Sequence, residues 1–227
     1  SSVNPHYFTI NGEIRLLISS AEHYGALINR AFDFRRYFRE LEKNGFNQTR
    51  LFGGSYFERS SDFHFDSNPL APEAGQLVPL FAGPERERLH PEYVARLRDI
   101  LSTADSAGVV VEFTLFCVFY NENNYRDSPF YDPAVDRREF FNALTPEKKR
   151  YVRLVLEQLN DFDNVIIELV NEPYWMVRDP APVLRFQQEL AEFVKTLAPG
   201  KPVAWNVDNT FSCAFDEVRA ANVLNFH

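Results

Sequence analysis

The segment Val165-Ile166-Ile167-Glu168-Leu169-Val170-Asn171-Glu172-Pro173 is where this sequence speaks most directly of chemistry. Its apolar run is what a strand covered on both faces requires, and Pro173 cannot continue a hydrogen-bonded ladder. Asn171 and Glu172 are thus delivered at a strand tip, with Tyr174 and Trp175 beside them. A carboxyl among apolar neighbours is partly desolvated, which raises its pKa towards neutrality and suits a general acid. The Asn171 amide could donate a hydrogen bond to a substrate hydroxyl. Taken alone, the same tripeptide is more often a turn that merely leaves a strand, so the elements around it decide its meaning.

Those elements alternate. A hairpin is expected first, with Tyr7–Ile10 and Glu13–Leu16 flanking the type I′ pair Asn11-Gly12. Strands follow at Leu16–Ser19, Asn47–Phe52, Val109–Leu115, Val165–Val170, Pro202–Val207 and Asn222–Phe226. Helices lie between them. Phe34, Tyr37, Phe38 and Leu41 have helical spacing and Gly45 ends their run; Pro91 opens a helix burying Val94, Leu97, Ile100 and Ala104. Thr145-Pro146 opens the next, with Val152, Val155, Leu156 and Leu159 inward; Val183, Phe186, Leu190, Phe193, Val194 and Leu197 mark another. A short helix with Phe215 and Val218 precedes the last strand. Such βα alternation predicts a parallel sheet. The segments 53–90 and 120–144 read as long loops, and loops of that length in a compact domain are usually functional.

Two architectures satisfy this pattern, an open doubly wound sheet and a closed eight-stranded barrel. No GxGxxG or Walker loop follows the early strands, which removes the main argument for a nucleotide-binding open sheet. In a barrel the functional residues stand at the C-terminal ends of the strands. Reading those ends gives Glu22-His23-Tyr24, Arg50-Leu51-Phe52, Phe119-Tyr120-Asn121, Asn171-Glu172, Asn206-Val207-Asp208 and His227. Carboxamides and aromatics crowd that one edge.

Composition narrows the partners. With 32 Asp and Glu against 24 Lys and Arg the net charge is −8, which argues against a phosphate-binding face for nucleic acid. No apolar run approaches the ~20 residues of a membrane span, and no signal-peptide pattern opens the chain, which leaves localisation unknown, with a secreted or periplasmic place favoured if a signal peptide was removed before Ser1. Cys117 and Cys213 form no CxxC motif and are read as buried free thiols. Asp62-Phe63-His64-Phe65-Asp66 alternates polar side chains as a metal site could, but no second cluster with ligand spacing supports it. No metal and no cofactor are therefore expected, and a substrate-facing loop is the better reading. Aromatic residues make up 15%, which fits both a well-filled core and flat apolar platforms of the kind sugar sites use.

At Val165–Pro173 the chain closely resembles the clan A glycoside hydrolases, especially family 5, the cellulase and mannanase-like enzymes. In that clan the fourth barrel strand ends in Asn-Glu-Pro, the Glu being acid/base and the Asn contacting a sugar 2-hydroxyl. Phe46-Asn47-Gln48-Thr49-Arg50-Leu51 resembles the clan's second strand, whose Arg helps orient the nucleophile, and Leu224-Asn225-Phe226-His227 resembles its sixth, which often ends in a sugar-site His. Ile18–Tyr24 and the hairpin are similar, less specifically, to the opening of such barrels. The resemblance runs in order from first strand to sixth. Two departures stand out. Phe116 and Cys117 occupy the end of the third strand, where family 5 usually has a His. The clan's nucleophile is a Glu ending the seventh strand, which this sequence does not reach; Glu112 and Glu168 lie too deep to replace it and are read as interior residues.

The resemblance implies a (β/α)8 TIM barrel catalytic domain over 1–227, with six of its eight βα units and an N-terminal β-hairpin. It implies a retaining O-glycoside hydrolase acting on a β-linked oligo- or polysaccharide, completed by a further chain or segment. Glu172, Asn171 and Arg50 would form the catalytic group. His23, Tyr24, Phe52, Tyr120, Asn121, Tyr174, Trp175, Trp205, Asn206 and His227 would bind substrate, with Tyr56, Phe57 and Phe63 presented by the long segment as a cleft wall. A glycan-binding barrel that has lost its chemistry is the alternative from another class. A barrel aldolase or lyase would need a strand-end Lys or a metal cluster, and the lysines fall in helices and loops.

Overall fold

Asn11 and Gly12 both take left-handed backbone, at φ 52° and 81°, as a type I′ turn demands. They join β1 (Phe8–Ile10) to β2 (Glu13–Arg15) in an antiparallel pair, the hairpin expected from the Asn-Gly dipeptide. The structure is a computed structural model that describes residues 7–20, 24–62, 68–175, 179–207 and 221–225.

The hairpin leads to α1 (Gly25–Ile28) and α2 (Phe34–Lys43), and then the main sheet begins. It contains β3 (Gln48–Phe52), β4 (Val110–Cys117), β5 (Val165–Asn171), β6 (Val203–Asn206) and β7 (Val223–Asn225), all parallel and paired in sequence order. The crossovers are α3 (Pro91–Ser106), α5 (Pro146–Leu159) and α6 (Ala181–Leu197). A doubly wound sheet reverses its strand order at a switch point; here the order never reverses, which is how a TIM barrel's wall runs. The helices start where the sequence says they should. Asp33 and Thr145 cap α2 and α5 with their side chains, and Pro91 and Pro146 occupy first-turn positions that lack a use for the missing N–H.

The expected strand at Leu16–Ser19 is reduced to a bridge between Ser19 and Gln48, and it is not buried. Leu16 is 69% exposed and Ile18 49%. A parallel strand is buried when sheet and helices cover it from both sides; among the described residues this segment is paired along one edge only, through Ile18, Ser20, Asn47 and Gln48. The segment read as a loop over 120–144 also holds structure, namely α4 (Glu122–Asp127) and a 3₁₀ helix at Arg137–Asn142. Both are too short for an apolar period. Side-chain caps set them: Asn121 and Asn124 form a reciprocal capping box, and Asp136 accepts from the Arg138 amide. The short helix expected around Phe215 and Val218, like Phe226, lies outside the described residues.

The segment after β3 starts on the C-terminal side of the sheet. Gly53 N–H donates to Thr114 O at 2.9 Å and Ser55 Oγ to Leu115 O at 2.9 Å. Tyr56, Val78, Leu80 and Leu89 pin it to the core. Gly53 shows why a glycine stands at its start. A methyl group there would lie 2.5 Å from Tyr151 Oη and 2.8 Å from the Phe113 ring, while the Gly53 carbonyl accepts the buried Tyr93 and Tyr151 hydroxyls at 2.7 and 3.2 Å. Gly53→Ala is therefore expected to destabilise the protein by about 1–3 kcal/mol through overpacking. A chemical denaturation midpoint equal to the parent's would show that this contact yields freely.

Candidate active site

Glu168 is the centre of a polar interior. It projects from β5, is fully buried, and accepts from Arg50 Nη2 on β3 at 2.5 and 2.7 Å and from Arg50 Nε at 3.2 Å. Thr114 Oγ1 on β4 donates to the same carboxylate, as do Asn206 Nδ2 on β6 at 2.6 Å and Asn225 Nδ2 on β7 at 3.1 Å. Burial alone would raise the Glu168 pKa; the Arg50 charge and the donated hydrogen bonds outweigh it and hold the carboxyl below its ordinary range. Burial likewise pulls Arg50 down, and Glu168 more than compensates. Glu112 lies in the same interior, accepting from Gln48 Nε2 at 3.0 Å and Asn225 Nδ2 at 2.6 Å. Both carboxylates are interior groups with their oxygens taken up, as their depth in the strands implies.

One step towards the C-terminal end of the strands stand Asn171 and Glu172. Arg50 Nη2 spans the two levels, donating to Asn171 Oδ1 at 2.7 Å. The Asn171 amide nitrogen then donates to Cys117 Sγ at 3.3 Å and to Tyr120 Oη at 3.0 Å. Tyr120 Oη in turn donates to Glu172 Oε2. Glu172 itself sits in the left-handed region at φ 47°, which a side chain with a Cβ avoids unless its surroundings impose it. Its N–H is held by Asn206 Oδ1 at 3.3 Å, and its carbonyl accepts from Trp175 N at 3.1 Å as Pro173 turns the chain away. The strained backbone and the fixed carboxylate mark the strand tip as built for a particular orientation of one carboxyl group.

The structure brings together Arg50, Asn171, Glu172, Tyr120 and Asn206. It does so differently from the sequence-based expectation. Asn206 is buried with both ends of its amide engaged, so it supports Glu168 and Glu172 rather than meeting a substrate. Trp205 is 1% exposed; the pleat that turns its neighbour Asn206 inward turns its indole to the helix side. Its Nε1 is buried and has no partner among the described residues. Tyr24 and Tyr56 are also buried rather than offered to a ligand, their rings 6.1 Å apart edge to face. Phe52 lies beneath the Arg50 guanidinium at 5.5 Å and is closed off in the core. The Asn121 side chain is spent on capping α4. Tyr174 is half-buried, its hydroxyl accepting from Gln187 Nε2 at 2.9 Å. Trp175 is the open aromatic surface of the group, 55% exposed and 5.9 Å from the Tyr120 ring. Phe57 is half-buried and lines a cavity of about 260 Å³ with Leu77, Leu80 and Phe81. His23, His227, Glu22, Asp208, Phe63, His64, Asp66 and Cys213 lie outside the described residues.

The sequence reading gives Cys117 and Glu58 no part in the site. Cys117 is a free, buried thiol that accepts from Asn171, and burial, partly opposed by that hydrogen bond, pushes its pKa up. Its position at a strand's C-terminal end was the available signal. Glu58 accepts from Tyr56 Oη at 2.9 Å and approaches Asn68 Nδ2, which donates to Tyr24 Oη at 2.5 Å. Burial raises the Glu58 pKa. It lies in the long segment, where no periodicity singles it out. Asp62 accepts from Arg59 N at 2.8 Å and Asn124 Nδ2 at 3.0 Å, and no cluster able to hold a metal ion occurs among the described residues. No helix among the described residues is long and apolar enough to cross a membrane.

Neither a protein-family model nor a curated protein matches the sequence. Solved structures do match the fold. The exo-β-1,4-mannosidase from an Opitutaceae bacterium is similar at TM-score 0.65 and 16% identity, over 98% of this chain and 40% of that one. The endo-1,4-β-D-mannanase from Thermotoga petrophila gives 0.57 and 16%, over 83% and 54%. A glycoside hydrolase family 5 protein from Bacteroides vulgatus gives 0.57 and 12%, over 89% and 37%. The chain thus spans roughly half or less of the length of these three structures. At such identities the likeness shows a shared fold.

Proposed function

We propose that the chain forms the acid/base side of a retaining glycoside hydrolase that cleaves β-linked glycans, β-1,4-mannan foremost. The observation that carries this reading is the Glu172 carboxyl, fixed at a strand tip by a left-handed backbone and tied through Tyr120 and Asn171 to Arg50. Glycosidic cleavage needs a proton at the leaving oxygen, and Glu172 supplies it. Trp175 offers an apolar face to a sugar ring beside it. The mannanase and mannosidase names of the similar structures favour β-mannosidic substrates over other glycans.

Retention requires a second carboxyl about 5–5.5 Å away as nucleophile. Glu168 and Glu112 are unsuited to it, because ion pairing and amide donors occupy their oxygens below the strand tips. Neither is therefore assigned as the nucleophile. No cofactor enters: the charge that develops is met by carboxylates and hydrogen-bond donors.

The test is the anomeric configuration of fresh product. With the whole protein and β-1,4-mannan, proton NMR should show the β-anomer first and its mutarotation afterwards. Initial α-anomer would sink the retaining mechanism. Binding of mannan without cleavage would instead favour a glycan-binding barrel.

A further inference from the structure

We infer that Tyr120 is a positioning residue that sets the proton affinity of Glu172, with Cys117 as the alternative acceptor for its hydroxyl proton; this rests on the acid/base reading above. A phenol has one proton to donate and can accept in return. Asn171 Nδ2 can only donate, and it does so to Tyr120 Oη at 3.0 Å. The phenolic proton is therefore free to go to Glu172 Oε2, and the Cys117 thiol, which shares the Asn171 amide as donor with the phenol, is also within its reach. When Glu172 is ionised, its oxygen is the stronger acceptor and takes the proton. When Glu172 is protonated, its own O–H can donate to Tyr120 Oη, and the phenolic proton turns to the sulfur. In each protonation state of the acid the phenolic proton thus has an acceptor, and only a hydroxyl hydrogen need turn.

The surroundings keep this arrangement from titrating by itself. Burial pushes the Tyr120 hydroxyl well above its ordinary range, and the Cys117 thiol upwards as well. Both stay neutral while Glu172 gains and loses its proton. Among the described residues the nearest charge, Arg50 on β3, is engaged by Glu168 on β5 and reaches the tip only through the neutral Asn171 amide, while Glu112 lies deeper in the strands. From β6 comes the uncharged Asn206, and from the turn Tyr174, whose hydroxyl is held by Gln187. The phenol's donated hydrogen bond favours the carboxylate form, so it lowers the Glu172 pKa from the value that desolvation alone would give.

The experiment follows the Glu172 carboxyl carbon by NMR in the whole protein, its resonance assigned by its disappearance in Glu172→Gln. Tyr120→Phe removes the donor and should raise the Glu172 pKa by about half to one unit. The alkaline limb of kcat/KM on β-1,4-mannan should move up by the same amount, a shift that a loss of packing would not produce. Because Tyr120 also packs against Tyr56 and Trp175, a second variant guards against misfolding. 3-Fluorotyrosine at position 120 keeps the shape but donates more strongly, and should move the Glu172 pKa down. A Glu172 resonance that titrates unchanged in a Tyr120→Phe protein of parental melting temperature overturns the inference, and so does an upward or absent shift with fluorotyrosine. A shift in the expected direction without any glycan cleavage would leave this inference standing and defeat the hydrolase reading. Cleavage with an unmoved carboxyl would do the reverse.

Discussion

Replacing Arg50 with methionine is expected to lower stability by about 3–5 kcal/mol at neutral pH, because it leaves the Glu168 charge buried without its counter-ion. Thr114, Asn206 and Asn225 would remain as donors, but none carries charge. The pH dependence should change sign with the substitution. In the parent the folded Glu168 pKa is lowered, so the pair contributes stability above the unfolded carboxyl pKa of about 4.3 and loses it as the pH falls through the folded value. In Arg50→Met the unopposed burial raises the folded pKa. Stability is then retained below the unfolded value and lost as the pH rises through the raised one. The gap between variant and parent should therefore be widest near pH 7 and narrow towards pH 4, as urea denaturation at the two pH values would show. Arg50→Met with Glu168→Leu should recover much of the loss, since neither charge is then stranded. A single variant within about 1 kcal/mol of the parent at pH 7 would mean that solvent reaches Glu168.

The pair also explains how far the site could be read from residue order. Strand existence was legible because parallel strands are apolar runs, and Val110–Cys117 and Val165–Asn171 stand out as such. Helix starts were legible because Asp33, Thr145, Pro91 and Pro146 are local signals. Arg50, Asn171 and Glu172 stand among the strand ends, and the resemblance to clan A glycoside hydrolases picks them out of that list. The direction in which a strand-end residue points is a different kind of fact. Tyr24, Phe52, Trp205 and Asn206 share the addresses of ligand-facing residues, yet burial and hydrogen bonds to distant elements retain them inside. Those partners are far away in sequence, such as Asn206 with Glu168 or Tyr24 with Asn68, and no local period encodes them. The Leu16–Ser19 segment failed for the converse reason. Its apolar residues read as a buried strand, but burial is conferred by neighbours, and along one edge the described residues supply none.

Glu172→Gln is expected to reduce kcat/KM on β-1,4-mannan by about 10²–10⁴-fold, the range over which a positioned general acid accelerates cleavage. The substitution preserves size and leaves the Asn171 and Arg50 links intact, so folding should change little. What it removes is the proton. A mannose leaving group departs poorly unless its oxygen is protonated, whereas an activated aryl leaving group needs little help. The loss in the first, glycosylation step should accordingly be much smaller with an aryl β-mannoside, and a leaving-group series should show a steeper dependence in the variant. A backbone comparison separates this chemistry from strain. Asparagine tolerates the left-handed region better than glutamate does, so Glu172→Asn should match or exceed the parent's stability, by up to about 1 kcal/mol, while its turnover falls as well. A variant at 172 that is more stable and inactive is the signature of a residue held in a costly conformation for its function. Near-parental turnover of mannan by Glu172→Gln would remove Glu172 from the reaction and leave its φ of 47° without a purpose.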